Sequence, residues 1–142
     1  MPIRLEIVTP EKRAYSDEVD AVILPGSEGE LGILPHHAPL ISLLGAGELR
    51  VRKGGLEESF AIVGGFVQVL PNKVVVMAET ADLAAEIDLE RAQEARRDAE
   101  RALEAGLVEP TDLAQARAAL QAALVRIRVA ERRHREGPRR RG

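Results

Sequence analysis

The sequence predicts an α+β fold in which an N-terminal antiparallel β-sandwich is followed by a C-terminal antiparallel α-helical hairpin. Short apolar–polar alternations, separated by turn residues, fill the first part of the chain and are typical of a sandwich. From Asp88 onward Ala, Glu, Arg and Leu replace almost all β-branched residues, a composition that favours helix. We therefore expect a sandwich over residues 1–84, a hairpin over 85–136 and a basic tail over 137–142.

The first strand is predicted from Ile3, Leu5 and Ile7, which alternate with charged residues. A turn at residues 9–12 ends it, and further strands are expected at residues 19–24, 31–34, 40–44, 48–53, 56–63, 66–70 and 73–78. Hairpin turns are predicted at residues 54–55, where two glycines adopt positive φ without steric cost, and at Pro71 and Asn72.

Two further glycines, Gly64 and Gly65, interrupt strand-like sequence. A glycine pair within a strand is typical of a bulge or of a close approach between two backbone segments. We therefore expect either a bulge or a close approach to a neighbouring backbone segment at this point.

The two helices are predicted from their end signals. Asp88 is expected to cap a helix over residues 89 to about 104, with Gly106 just beyond its C-terminus. Thr111 or Asp112 is expected to cap a second helix that runs to about residue 136. The short break between them predicts an antiparallel hairpin.

Small apolar residues recur at steps of three and four along both predicted helices. The first helix carries Ala92, Ala95, Ala99 and Ala102, and the second carries Leu113, Ala116, Leu120, Ala123, Ile127 and Ala130. A buried methyl-sized group contributes about 0.8 kcal/mol, so four alanines contribute only about 3 kcal/mol before entropy is subtracted. We therefore expect a hairpin that is held weakly enough to open.

The composition argues against an enzyme. The chain has no cysteine and only three histidines, which lack the spacings of common zinc sites. Neither a Walker-type loop, a G-x-G-x-x-G loop nor a G-x-S-x-G motif is present. We therefore predict no catalytic residue and no metal site. No apolar run approaches the roughly 20 residues that span a bilayer, so any membrane association must come through a protein partner.

Positive charge is concentrated at the C-terminal end. Residues 117–142 carry nine Arg against two Glu, a net charge of +7, whereas the remaining residues carry 11 basic and 21 acidic side chains, a net charge of −10. The basic end suits an acidic protein partner, a nucleic acid or a solvated surface, although no aromatic residue interleaves to stack bases. A nucleic-acid-binding or adaptor protein therefore stands as the alternative function.

Two stretches carry a family resemblance. The sequence S-E-G-E-L-G-I-L-P-H-H-A-P-L at residues 27–40 and the sequence G-G-F-V-Q-V at residues 64–69 resemble the epsilon subunits of F-type ATP synthases. The order of the parts, a sandwich followed by an Ala-, Arg- and Glu-rich hairpin, is also similar. The resemblance implies a non-catalytic central-stalk subunit, peripheral on the cytoplasmic face of the plasma membrane, whose sandwich binds the gamma subunit and rests on the ring of c subunits.

The resemblance also implies roles for individual residues. Glu30 and His37 match positions of the loop at the base of the sandwich, where the partner subunits lie. The hairpin is expected to exist folded against the sandwich or extended, and the extended form inhibits ATP hydrolysis. Acidic loops of the catalytic beta subunits would then be contacted by basic residues of the second helix, namely Arg117, Arg126, Arg128 and Arg132.

A regulatory ATP site is implied by the sequence I-D-L-E-R-A at residues 87–92, which fits a motif with which some bacterial relatives bind ATP. The matching residues are Ile87, Asp88, Arg91 and Ala92, joined by Arg126 across the hairpin. Asp98 and Ala122 stand where strong binders have Arg. Since each charge-assisted hydrogen bond contributes about 1.5–3 kcal/mol, the loss of two cations should weaken ATP binding by several kcal/mol in total.

Overall fold

The computed structural model describes residues 2–136 and 139–140, with side chains through Arg133. Its strands and helices, numbered in chain order, are β1 (Ile3–Val8), β2 (Arg13–Val19), β3 (Ala21–Gly26), β4 (Gly29–Ile33), β5 (Leu40–Leu43), β6 (Gly47–Lys53), β7 (Leu56–Val63), β8 (Phe66–Leu70), β9 (Lys73–Met77), β10 (Thr80–Leu83), α1 (Leu89–Glu104), α2 (Pro110–Glu136) and β11 (Arg139–Arg140). A 3₁₀ turn, Ala84–Glu86, connects β10 to α1. The predicted basic tail lies outside the described residues except for the backbone of β11.

Two sheets form the sandwich. The first has the strand order β2-β1-β9-β8-β5 and the second has the order β10-β7-β6-β3-β4, with β11 also paired to β7. The predicted sandwich followed by two helices is confirmed. All pairs are antiparallel except β1 with β9, which lie far apart in the sequence and therefore need no hairpin between them.

Three strands were missed by the sequence analysis: β2 and β10 lie at sheet edges, and β11 lies within the predicted basic tail. Strand β2 has half-exposed residues along most of its length, so no clear alternation marks it in the sequence. Strand β10 has only four residues. The strand expected at residues 19–24 is also corrected, because Val19 ends β2 and β3 begins at Ala21.

The core between the sheets is almost entirely aliphatic. Its largest fully buried side chains include Leu5, Ile7, Leu24, Leu49 and Ile62. The only aromatic contact joins Phe60 to the partly buried Tyr15, with ring centroids 5.4 Å apart in an edge-to-face arrangement. Burial, with the nearby charges of Asp17 and Glu58, raises the pKa of Tyr15 to about 12. The tyrosine therefore stays neutral throughout the physiological range.

Helix α1 begins and ends at recognisable signals. The Asp88 side chain accepts a hydrogen bond from the Arg91 backbone N–H at 3.2 Å, and Gly106 has a φ of 74° just beyond α1, as predicted. The prediction of Thr111 or Asp112 as the second cap is wrong, because α2 begins at Pro110. Proline suits the first helical position, where its missing N–H would have no intrahelical partner.

Of the two alternatives predicted for this glycine pair, Gly65 makes the close approach. Its φ is 109°, and a Cβ added there would lie 2.0 Å from the Met77 carbonyl oxygen. The loop between β7 and β8 therefore passes directly over the end of β9, and only glycine fits.

We expect Gly65→Ala to lower the free energy of unfolding by roughly 3 kcal/mol or more, because it combines a strained φ with a backbone clash. Gly55→Ala is the matched control: its φ is 81°, but nothing lies within 4 Å of the added methyl, so a loss of about 1 kcal/mol is expected. Urea unfolding of both variants measures the difference. Equal losses would mean that the contact with Met77 is unimportant.

Candidate functional site

A row of three residues crosses the outer face of the second sheet. Asp82 of β10 pairs with Ala61 of β7, and Ala61 pairs with Glu48 of β6. Directly paired residues share a face of the sheet. We call these three residues the seat row, because helix α2 lies across them.

The centre of the contact is apolar. Val125 and Val129 of α2 form a buried cluster with Ala61 and Ala84, and Ala61 is 0% exposed. Full burial of a valine contributes about 1.5–3 kcal/mol, so this pair exceeds the alanines of α1 as a source of stability. The small side chain of Ala61 leaves room for the helix backbone to come close to the sheet.

The sequence analysis missed this valine pair. Most of the predicted apolar positions of α2 are buried or partly buried, as expected for the contact with α1. The two valines lie four residues apart and off that series, so they form a second buried face. Two β-branched residues at this spacing, in a helix otherwise rich in alanine, are the signal that would have revealed it.

Two arginines flank the valine pair and bind the two carboxylates of the seat row. Arg126 donates from Nε to Asp82 Oδ2 at 2.7 Å. Arg132 donates from Nε to Glu48 Oε2 at 2.8 Å and from Nη2 to Ser59 Oγ at 2.9 Å. The side chains of Arg132 and Glu48 are each 20% exposed. Because these side chains are partly buried, their ion pair is screened less by water than an exposed pair and costs less to desolvate than a fully buried one.

The remaining two arginines predicted to bind a partner lie elsewhere on α2. Arg117 and Arg128 line an open groove of about 380 Å³ together with Leu120, Leu124 and Ala46. Neither arginine forms an ion pair with any described residue. The four arginines are therefore divided, with Arg126 and Arg132 held by the sandwich. The nucleic-acid alternative needs these cations together on one free face.

The residues of the ATP motif have identifiable structural positions. Asp88 caps α1, Ala92 is buried, and Arg91 is exposed. Ile87 packs against the cluster that contains Val125, which brings the start of the motif near Arg126. Because Arg126 already donates from Nε to Asp82, a phosphate would have to use its other N–H groups or compete with that carboxylate.

Glu30 and His37 lie near opposite ends of β4, so the structure does not bring them together. Glu30 Oε2 accepts from Arg50 Nη2 at 2.9 Å. His37 lies in the loop after β4, where its Nδ1 is 2.9 Å from the Ala38 carbonyl oxygen, and the neighbouring His36 backbone N–H donates to the Pro71 carbonyl oxygen at 3.2 Å. Both residues are solvent-accessible at the β3–β4–β5 side of the sandwich.

Part of the outer face of the first sheet is uncovered and apolar, whereas another part carries the Lys73–Glu6 ion pair. A second row runs across four strands through the paired residues Leu43, Phe66, Met77 and Val8, and we call it the outer row. Leu43 is 66% exposed and the nearby Ile41 is 73% exposed. A hollow of about 470 Å³ adjoins the row beside Phe66 and Met77. Contiguous exposed apolar residues of this kind mark interaction surfaces.

The sequence analysis also missed the outer row. Strand β5 reads L-I-S-L, with apolar residues on both faces of a strand that lies at a sheet edge. An edge strand with apolar residues on both of its faces indicates a surface that needs a partner. That signal depends on knowing that β5 is an edge, which the sequence did not reveal.

Within residues 2–136, no helix is long and apolar enough to cross a membrane. The same part of the chain holds no group of three or more His, Cys, Asp or Glu side chains arranged to bind a metal ion.

We expect Ala61→Leu to displace α2 while leaving the sandwich folded, because Ala61 faces the helix and not the core. Overpacking costs about 1–3 kcal/mol, which corresponds to roughly ten- to hundredfold faster amide exchange in α2. Ala95 was predicted to belong to the packed alanine series of α1, but it is exposed, so Ala95→Leu adds the same atoms and should change nothing. Hydrogen exchange measures both variants, and unchanged protection of α2 in Ala61→Leu would contradict the role of the seat row.

Comparison with known proteins covers the sandwich and both helices up to residue 131. Residues 2–84 match the family model for the ATP synthase delta/epsilon chain β-sandwich domain, and residues 85–131 match the model for its long α-helix domain. A chain from Syntrophobacter fumaroxidans, named ATP synthase epsilon chain, is 50% identical over 130 residues, covering 92% of this chain and 96% of that relative. The equivalent chain of Dehalococcoides mccartyi is 47% identical over 131 residues, covering 92% and 94%.

Solved structures show the same fold. A chain in the cryo-EM structure of the Euglena gracilis mitochondrial ATP synthase, OSCP/F1/c-ring, superposes with a TM-score of 0.72 at 25% identity, covering 87% of this chain and 78% of that one. A chain from the Tetrahymena thermophila mitochondrial ATP synthase central stalk and c-ring superposes with a TM-score of 0.58 at 15% identity, covering 92% and 97%. Because the two family models together match residues 2–131 and the bacterial relatives are about half identical over nearly their full length, this chain belongs to the ATP synthase delta/epsilon chain family.

Proposed function

We propose that this chain is the non-catalytic epsilon-type subunit of a proton-translocating F-type ATP synthase, with the sandwich as its anchor and the hairpin as a movable brake on ATP hydrolysis. The observation that carries the proposal is the difference between the two outer faces of the sandwich. One face is in part apolar and uncovered, whereas the other holds a helix through two valines and two ion pairs. A permanent partner suits the first face, and a reversible contact suits the second.

The outer row is the proposed surface for the gamma subunit. Its residues are apolar and contiguous across four strands, with Leu43 and Phe66 exposed and Met77 and Val8 half-buried. Burial of apolar area is the main source of affinity in protein association. The loop residues Glu30 and His37 are the proposed contacts to the c-ring. Assembly through these surfaces would place the chain peripherally at the membrane, and we propose the cytoplasmic face of the plasma membrane as its location.

The hairpin, residues 85–136, is the proposed brake. In the folded state, Arg126 and Arg132 are neutralised by Asp82 and Glu48 of the sandwich. When α2 leaves the seat row, these two arginines become free together with Arg117 and Arg128, and acidic loops of the catalytic beta subunits can replace the lost carboxylates. The exchange of one set of carboxylates for another keeps the free-energy difference between the states small, as a two-state element requires.

The first experiment measures ATP hydrolysis by an F-type catalytic head depleted of this subunit, with either the full chain or residues 1–86 added back. We expect both to bind and only the full chain to slow hydrolysis, because the truncated chain keeps the outer row and lacks the brake. Circular dichroism of the truncated chain first confirms that its strands are folded. Binding by both with equal hydrolysis rates would contradict the brake.

A point variant controls for the anchor in the same assay. Leu43→Asp places a charge in the outer row and should abolish binding of the full chain to the head. Glu11→Lys, on the exposed turn between β1 and β2, also changes a surface charge and should bind normally. Normal binding by Leu43→Asp would locate the gamma surface elsewhere.

We infer that ATP is not required by this chain and acts on the folded hairpin only as a weak regulatory ligand. Asp88, Arg91 and Arg126 supply polar groups of the motif, but Arg126 is occupied by Asp82, and Asp98 and Ala122 replace two cations. A phosphate group would therefore meet fewer charge-assisted donors than in a strong site.

Restoration of the missing cations tests this inference. We expect the double variant Asp98→Arg/Ala122→Arg to bind ATP more tightly by about 1.5–3 kcal/mol for each bond gained, and Arg91→Ala in that background to lose the gain. Isothermal titration with ATP measures the affinities. If ATP binds neither the parent chain nor the double variant, ATP is not a ligand of this hairpin.

A further inference from the structure

We propose that two attachments near the C-terminus form a latch that sets how much of the protein has α2 seated on the sandwich. The latch consists of Arg132 and strand β11. The inference rests on the proposed movement of the hairpin. The match to the family's helical domain ends at residue 131, so the latch lies beyond the part of the chain that the family model describes.

Arg132 joins α2 to two strands at once. Its guanidinium donates to Glu48 of β6 and to Ser59 of β7, and Ser59 is only 7% exposed. A charged fork that satisfies a carboxylate and a buried hydroxyl together fixes both the position and the rotation of the helix. The contact lies on the C-terminal side of the valine pair.

Strand β11 adds a second attachment through the backbone. Arg139 and Arg140 pair antiparallel with Glu57 and Leu56 at the start of β7. Strand β10 pairs only with Phe60–Val63 of β7, so β11 occupies a section of the edge that β10 leaves unpaired. An unpaired edge is a ready template for another strand, and here the chain covers it with its own end.

Both attachments exist only while α2 is seated. Their loss favours release of the hairpin without affecting the sandwich core, since Glu48, Ser59 and β11 all lie outside it. Glu48 also competes with any external carboxylate for Arg132. The latch therefore opposes extension of the hairpin in two ways. It holds the C-terminal part of α2 on the sandwich, and it keeps Arg132 paired with Glu48, so that this cation is not available to a partner of the extended state.

The test uses the full chain with either Glu48→Gln or the pair Arg139→Pro/Arg140→Pro. The first variant removes the carboxylate that holds Arg132 but keeps the arginine. The second removes the backbone donors of β11. We expect each to accelerate amide exchange in the second half of α2 about tenfold, equivalent to about 1.4 kcal/mol, with the protection of β8 and β9 unchanged. Glu58→Gln, an exposed neighbour on β7, is the matched control.

The rate of ATP hydrolysis by the depleted catalytic head distinguishes the proposed latch from the proposed brake. If both ideas hold, Glu48→Gln slows ATP hydrolysis more than the parent chain does, because more hairpins are released with Arg132 intact. Faster exchange without any change in inhibition would support the latch and defeat the proposed brake. Exchange in α2 within twofold of the parent chain in both variants would overturn the latch, whatever the hydrolysis rates.

Discussion

The packing of α2 across Ala61 is the contact on which the arrangement of the two halves depends. The methyl group of Ala61 lets Val125 and Val129 reach the sheet, and the paired carboxylates on either side bind one arginine each. Helix α1 is held in place by its packing against α2, and its first turn is stabilised by the Asp88 cap. The sandwich, by contrast, has a complete aliphatic core between its sheets. Loss of the seat would release both helices and leave the sandwich intact.

This contact explains part of the uneven distribution of charge along the chain. The acidic first part of the chain and the basic C-terminal end meet within one molecule, where Asp82 and Glu48 bind Arg126 and Arg132. Ion pairs that are partly exposed contribute little individually, so they align the helix more than they stabilise it. The valines supply the affinity of the helix for the sheet, and the arginines determine which residues of the helix face it.

Much of the fold could be predicted from the sequence, because its signals are local. The alternation around Leu5, the cap at Asp88 and the close approach at Gly65 each depend on residues a few positions apart. The failures share a different cause. Edge strands such as β2 lack alternation because both of their faces are partly exposed, and the parallel pairing of β1 with β9 is decided by the whole sheet.

In the candidate sites, too, local features could be predicted from the sequence and contacts between distant residues could not. The sequence identified the arginines of α2 but could not predict that Arg126 and Arg132 would find carboxylates within the chain while Arg117 and Arg128 would not. Their partners lie 44 and 84 residues away, and only the register across β10, β7 and β6 brings them together. The outer row is likewise made by register, since its four residues come from four strands.

The position of the seat row in the sequence also has a consequence for biosynthesis. Ala61 leaves the ribosome about 64 residues before Val125, which at 5–20 residues per second is a delay of roughly 3–13 s. During that interval the sandwich can form with the face meant for α2 still open to water. Asp82 and Glu48 border the uncovered Ala61, and their charges keep that face hydrated and disfavour its association with other nascent chains. The carboxylates that later receive the helix therefore first serve to protect the unfinished protein.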